Sequence, residues 1–224
     1  TPASVIAILE AMQSAGYHIN HAPRDAAALM ALINDGVTNS RVSQSRRSEA
    51  ILPLADYQRY VAQISPTAQQ MMTDQWEEPQ GDPFFRDGAF HLPVHIFGHI
   101  AIAVPPARGY NIHPKSSYHD PALPPPHGYL AFHFWLEHVF QAQAAVHVGK
   151  HGNLEWLPGK AVSLSADCFP EICGGTMPTI YPFIVNDPGE GTQAKRRISA
   201  TIIDHLTPPL TRAESYGPLK QLEA

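Results

Sequence analysis

Cysteine is scarce: the 224 residues hold two, Cys168 and Cys173, with four residues between them. Two thiols at that spacing suit neither a disulfide framework nor a zinc ribbon, so both are expected to be reduced. Positive charge is also in short supply. Lys and Arg number 15 against 20 Asp and Glu, a net charge of −5 at pH 7, which gives no support for nucleic-acid binding. No apolar run approaches the ~18 residues that a membrane-spanning helix needs, and no secretory leader opens the chain. A cytoplasmic protein with no membrane partner is therefore expected. Gly-x4-Gly-Lys-Ser/Thr is missing, which removes the loop that cradles nucleotide phosphates. There is no internal repeat and no low-complexity tract.

Proline and histidine are plentiful instead, at 22 and 13 residues, and an apolar content of 44% is enough for a sizeable core. The prolines imply many irregular connections between short elements. Helical patterns at Thr1–Gly16, Asp25–Asn34, Pro53–Ile64 and from Ser65-Pro66 onward dominate residues 1–79, with Met71, Met72 and Trp76 assigned to core. Residues 80–224 alternate strand and helix: Ile100–Val104 completes a strand pair or a bent strand, further strands are expected at Ala144–Val148 and Thr179–Val185, and Ala161–Leu164 is another candidate. Between them lie a helix over Tyr129–Gln141 and another whose stripe is Ala194, Ile198, Ile202 and Leu206. The order strand–helix–strand across Tyr129–Gln141 predicts a right-handed parallel crossover. The expected fold is α/β, a mostly parallel sheet flanked by helices, with an N-terminal helical subregion (1–79), an α/β region (80–224) and long Pro-rich loops.

Chemistry concentrates in Ala144–Lys160. A strand ends there, and Gly149, Gly152 and Pro158-Gly159 interrupt the chain beyond it; an interior Gly costs about 1 kcal/mol in a helix, so no single helix spans the stretch. A short helical turn starting near Asn153, with that residue as its cap, fits better. His147, His151 and Glu155 are then presented at the carboxyl end of a strand, where open α/β sheets keep their ligand sites. Imidazole and carboxylate suit borderline divalent ions or proton transfer, and spacing alone leaves both open. His91, His95 and His99 share the four-residue interval, but Pro93 and Gly98 spoil a helix, and residues four apart in a strand lie ~13 Å from each other. Arg41, Arg46 and Arg47 read as a solvated loop. Gly189-Glu190-Gly191 opens a helix as an anion cradle would, with Lys195, Arg196 and Arg197 behind it.

The run from His147 to Lys160 closely resembles the signature of the CobN/magnesium-chelatase family of large chelatase subunits. Pro106 to Tyr110, Tyr118 to Pro121, Pro126 to Tyr129, Tyr181 to Arg197 and Ile203 to Leu210 resemble the family's other blocks. Lys150, Trp156 and the Pro-Gly-Glu-Gly-Thr-Gln run look like the cobalt branch; Pro105 stands where Gln is expected. The resemblance implies a piece of a much larger subunit that takes part in inserting Co2+, its substrate metal, into hydrogenobyrinic acid a,c-diamide, a corrin precursor of cobalamin biosynthesis. It implies that separate AAA+-type subunits hydrolyse ATP with Mg2+, and that the fragment alone is inactive. His147, His151 and Glu155 become candidate catalytic groups and metal ligands. Arg108, Tyr110, Lys150, Trp156, Glu190, Lys195, Arg196 and Arg197 become candidates for holding the tetrapyrrole, Trp156 by stacking and the cations by pairing with carboxylates. Alternatives are the magnesium branch acting on protoporphyrin, a tetrapyrrole-binding module without insertion chemistry, and a zinc hydrolase.

Overall fold

The computed structural model describes residues 2–111, 120–149, 152–182 and 188–204. Two helices open the chain. α1 (Pro2–Ser14) buries Ile6 and Leu9, and α2 (Ala26–Asp35) starts where the Asp25 carboxylate accepts from the Ala28 N–H at 2.8 Å, an N-cap bond. Their apolar faces close on Ile19, Leu29 and Phe97 as a small core of their own. β1 (Ala50–Pro53) leads directly into α3 (Leu54–Val61), and Ser65 caps α4 (Pro66–Trp76), with Pro66 at its first position. Met72 of α4 is buried in the main core, as its stripe implied.

β2 (Phe85–Arg86) and β3 (Ala89–Leu92) follow, and β3 lies between β1 and β2, antiparallel to both. β1 comes from the stretch expected to be helical, and its pairing with β3 crosses residue 79; so does the main core, which runs from Val37 to Cys173. β4 (Val94–Phe97) and β5 (Ile100–Ala103) form a second antiparallel pair. The Gly98-His99 turn folds β5 back onto β4, so β5 is not the parallel partner of β6 that the expected crossover requires.

α5 (His127–Phe134) is buried on every side, the position of a helix with apolar groups all round. Its N-terminus is received by Asp82, whose Oδ2 accepts from the Gly128 N–H at 2.6 Å while Oδ1 accepts from the Phe84 N–H at 2.8 Å. A carboxylate there also faces the positive end of the helix dipole. α5 continues into a π turn over Trp135–Val139.

The parallel sheet is C-terminal. β7 (Thr179–Pro182) lies between β6 (Ala145–Val146) and β8 (Thr201–Ile203), parallel to both, with α6 (Phe169–Gly174) before it and α7 (Pro188–Arg197) after it. The mixed α/β class and the parallel sheet thus match expectation, while the other two sheets are antiparallel. Three local expectations change. β6 is a short edge strand with Val146 40% exposed, rather than a buried strand over 144–148. Residues 161–164 form bends and no strand. The stripe from Ala194 does not stay helical: the chain leaves α7 at Ser199 (φ 51°), the Ala200 N–H turns back to the Ala194 carbonyl, and Ile202 pairs with Tyr181 in the sheet. Leu206 lies outside the described residues. Both cysteines are free, buried thiols, and among the described residues no helix is long and apolar enough to cross a membrane.

Candidate functional site

The chain leaves β6 with one more ladder bond, His147 N–H to the Ile180 carbonyl at 2.8 Å, so His147 stands just beyond the carboxyl end of the strand. Its ring packs edge-on against Tyr181 of the central strand, with centroids 4.4 Å apart and planes at 78°. The chain returns beneath this ring at Gly152, whose N–H donates to Tyr181 Oη at 2.5 Å. A Cβ built on Gly152 would lie 2.6 Å from His147 Cε1, 2.9 Å from His147 Nε2 and 3.1 Å from Glu155 Oε2. Imidazole and carboxylate therefore close over a position where a Cβ would force at least the imidazole to move. Tyr181 Oη also faces Glu155 Oε1, at 3.4 Å.

Glu155 sits in a single 3-10 turn, Leu154–Trp156, and is 1% exposed. Asn153 precedes this turn without capping it, and its Oδ1 accepts from the Tyr129 hydroxyl at 3.0 Å. Two buried arginines hold consecutive carbonyls of the turn instead. Arg197 of α7 donates from Nη1 to the Glu155 carbonyl at 2.7 Å and from Nε to the Lys160 carbonyl at 3.1 Å. Arg108, from the helical turn Arg108–Asn111, donates from Nη1 to the Trp156 carbonyl at 3.1 Å and from Nη2 to the carbonyls of Asp120 and Leu123. Leu157, fully buried, anchors the exit.

The electrostatics follow from this burial. Desolvation, then the neighbouring Glu155 charge, pushes the Tyr181 phenol far up, so it stays a neutral donor. Desolvation draws Arg197 down, against the opposing pull of Cys168 and Glu155. The buried His133 of α5 is pushed down to about 3, again by desolvation, and is neutral at physiological pH. Cys168 is drawn upward by burial, but N–H donors from Ser165 and Lys160 and the Lys160 charge leave the thiol net below its ordinary value.

Among the sequence candidates, the structure brings His147 and Glu155 together. Lys150, His151 and the side chain of Tyr110 lie outside what the structure describes. Arg108 and Arg197, candidates for pairing with ligand carboxylates, are turned inward to backbone carbonyls, whereas Lys195 and Arg196 are exposed. Glu190 lies in the first turn of α7, near enough to Tyr181 to act on its charge. Trp156 is half-buried beside Glu155. Among the described residues no group of three His, Cys, Asp or Glu is arranged to hold a metal ion; His147 and Glu155 supply one imidazole and one carboxylate, a donor pair that suits borderline divalent ions. Sequence reasoning missed Tyr181, which touches every member of the cluster. It stands within the apolar run Thr179–Pro182, where a tyrosine passes for core.

Comparison with known proteins gives consistent results. The family model described as CobN/Magnesium Chelatase matches residues 1–224. The aerobic cobaltochelatase subunit CobN of a Sinorhizobium species is 56% identical over the whole chain, which covers 18% of that protein. A magnesium-chelatase subunit of Chlorobaculum parvum is 32% identical over 99% of the chain, covering 17% of its own length. Among solved structures, the catalytic subunit of cobaltochelatase from Mycobacterium tuberculosis superimposes with a TM-score of 0.79 at 41% identity, over all of this chain and 19% of that one. The chain thus spans under a fifth of the length of these relatives.

Proposed function

The chain belongs to the CobN/Magnesium Chelatase family, and from that premise we propose that it carries part of the metal-insertion site of a cobaltochelatase large subunit. The substrates are Co2+ and a corrin precursor, hydrogenobyrinic acid a,c-diamide. The cobalt branch is favoured by 56% identity to a cobaltochelatase subunit against 32% to a magnesium-chelatase subunit. In this reading ATP with Mg2+ is handled by separate AAA+-type partner subunits, in a cytoplasmic assembly. The single observation that carries the reading is the closure of His147 and Glu155 over Gly152.

Metal insertion requires that two pyrrolic N–H protons leave while the metal exchanges water for ring nitrogen. Glu155, an acceptor held in a buried turn, takes such a proton directly or receives it by way of His147, whose ring lies beside it. His147 offers the incoming ion an imidazole during ligand exchange. His151 completes the trio in this reading. Lys150, Lys195, Arg196 and Tyr110 contact the macrocycle's periphery, Trp156 stacks on it, and Glu190 at the Gly-rich start of α7 helps to hold it. Arg108 and Arg197 serve the site by holding its turn.

The test is Glu155→Gln in the full-length subunit with its partner subunits. Shape is kept, charge and basicity are lost. Cobalt insertion should nearly vanish, while tetrapyrrole affinity measured by absorbance titration changes by less than about tenfold, or 1.4 kcal/mol. Near-normal insertion by the folded variant would overturn the assignment.

A further inference from the structure

We propose that Cys168 is a modification site: its thiol is set to take an oxygen atom from a peroxide, and the buried Arg197 guanidinium is placed to receive the sulfenic acid that results. The inference is independent of the insertion reading above.

Exposure does not distinguish the two cysteines, at 2% for Cys168 and 3% for Cys173. What surrounds the sulfur does. Cys173 belongs to the main apolar core, and burial alone pushes its thiol up. Cys168, just ahead of α6, is wrapped by the loop that precedes it. The N–H groups of Lys160 and Ser165 each donate to Sγ at 3.3 Å, and the Ser165 hydroxyl lies 3.6 Å away. Burial opposes ionisation here too, but these donors and the Lys160 charge outweigh it. They favour the thiolate, which is the nucleophilic form.

A second, separate feature points to what the sulfur takes. Arg197 is 6% exposed. It commits Nη1 to the Glu155 carbonyl and Nε to the Lys160 carbonyl, while Nη2 has no hydrogen-bond partner among the described residues. In a planar guanidinium Nη2 shares an edge with Nε, so the spare donor faces the side of Lys160, whose own N–H rests on the thiol. Burial draws Arg197 down, and Cys168 opposes this more than Glu155 does. A buried donor without an acceptor is unusual. An oxygen added to Sγ supplies one, in a charge-assisted bond.

The cover over the thiol is thin. Gly159 passes across it, where an added Cβ would lie 3.0 Å from Sγ. Residues 159–163 and 166–167 are exposed, and 157–167 form bends and a turn with no helix or strand. Exposed irregular cover opens locally at low free-energy cost, and a small peroxide needs no wider path. In the reaction the thiolate sulfur attacks one oxygen of hydrogen peroxide. The S–O bond forms as the O–O bond breaks, and the departing hydroxide takes a proton from solvent to become water. Sulfur is oxidised by two electrons and the peroxide reduced, leaving the sulfenic acid.

The test uses the full-length subunit with its partner subunits, treated with hydrogen peroxide in the presence of dimedone, which traps sulfenic acids. Labelling of the two cysteine peptides is followed by mass spectrometry. In the native protein Cys168 should label at least about tenfold faster than Cys173, and in urea the two should label at similar rates. Native labelling of Cys168 that is absent, or no faster than that of Cys173, overturns the proposal. Lys160→Gln removes the neighbouring charge at an exposed position and should slow Cys168 labelling severalfold. Arg197→Met removes the spare donor and should slow it further, whereas a merely loosened fold would speed it. An unchanged Cys168 rate in Lys160→Gln, or a raised one in Arg197→Met, likewise overturns the proposal.

Discussion

Two regions of the chain space their polar groups alike, His91, His95 and His99 in one and His147, His151 and Glu155 in the other. In the first region the backbone is extended and folds back at Gly98-His99, and the three rings part company. His91 of β3 meets the Arg86 guanidinium at 3.0 Å, His95 of β4 lies against Gly36, and His99 in the turn packs edge-on against His18. In the second region the chain reverses within a few residues, and His147 and Glu155 converge on Gly152. Interval in sequence carries no distance until the backbone between the groups is known. What brings His147 and Glu155 of the second set together is a reversal held by a tyrosine and two arginines from distant elements.

Glycine-to-alanine substitutions test that contrast with the largest expected effect. Gly152→Ala and Gly36→Ala would each place a methyl group under 3 Å from a histidine ring, His147 and His95 respectively. His95 is half-buried and can swing away, so Gly36→Ala should leave stability within about 0.5 kcal/mol. His147 is backed by Tyr181, so Gly152→Ala should cost about 1–3 kcal/mol and, by moving the ring and carboxylate apart, about a hundredfold in insertion rate. Equal effects of the two substitutions, read by denaturant melts and metallation rates, would break the comparison.

The arginine supports come next. Arg197→Ala removes donors from the Glu155 and Lys160 carbonyls and should destabilise by about 1.5–3 kcal/mol; Arg197→Lys should recover only part, because an ammonium lacks the fork that bridges two acceptors. Alanine at the exposed Lys195 and Arg196 should change stability by less than about 0.5 kcal/mol, and any loss of tetrapyrrole affinity there should diminish with salt. Chemical denaturation of the four variants checks the first half, and titration at two ionic strengths the second.

A smaller effect is expected from His133. It is carried neutral in the fold, pushed down to about 3 by burial, whereas an unfolded imidazole protonates near 6.5. The unfolded chain therefore binds the extra proton between these values. Stability from this group is complete above about pH 6.5 and declines as pH falls toward 3, by at most about 1.4 kcal/mol per unit. His133→Phe should flatten that part of the stability curve measured by urea melts from about pH 7.5 to 5, whereas alanine at His95, which is also drawn down but less buried, should alter it far less.

Much of this was legible in the sequence, for physical reasons that differ by residue. Periodicity placed α2, α4 and the buried Met72, and the glycine breaks around His147 and Glu155 announced a reversal at a strand end. The inward turn of Arg197 was legible in principle: Gly191, Ala194 and Arg197 follow at intervals of three, all buried, while Lys195 and Arg196 fall outside that stripe. A run of three cations masked the pattern. Tyr181 and the pairing of β1 with β3 depend on contacts across tens of residues, which no local pattern reports. The β4–β5 hairpin was half legible, as one of two readings of Ile100–Val104, since a bent strand and a hairpin share the same alternation until pairing decides between them.

The two guanidiniums on the Leu154–Trp156 turn also bear on how the molecule comes to be folded. Arg108 lies 48 residues before its partner Trp156, and Arg197 lies 42 residues after Glu155. During synthesis at roughly 5–20 residues per second, the first clamp can form some 2–8 s before the second has been made. Through that interval the Glu155 turn is held on one side only, and β8, which closes the sheet beyond Tyr181, does not yet exist. The apolar core around α5 can condense first, and among the described residues the polar cluster is locked late, by contacts of long sequence separation that make for slow steps. Amides at Gly152 and Leu157 are accordingly the ones whose protection from exchange should appear latest in refolding.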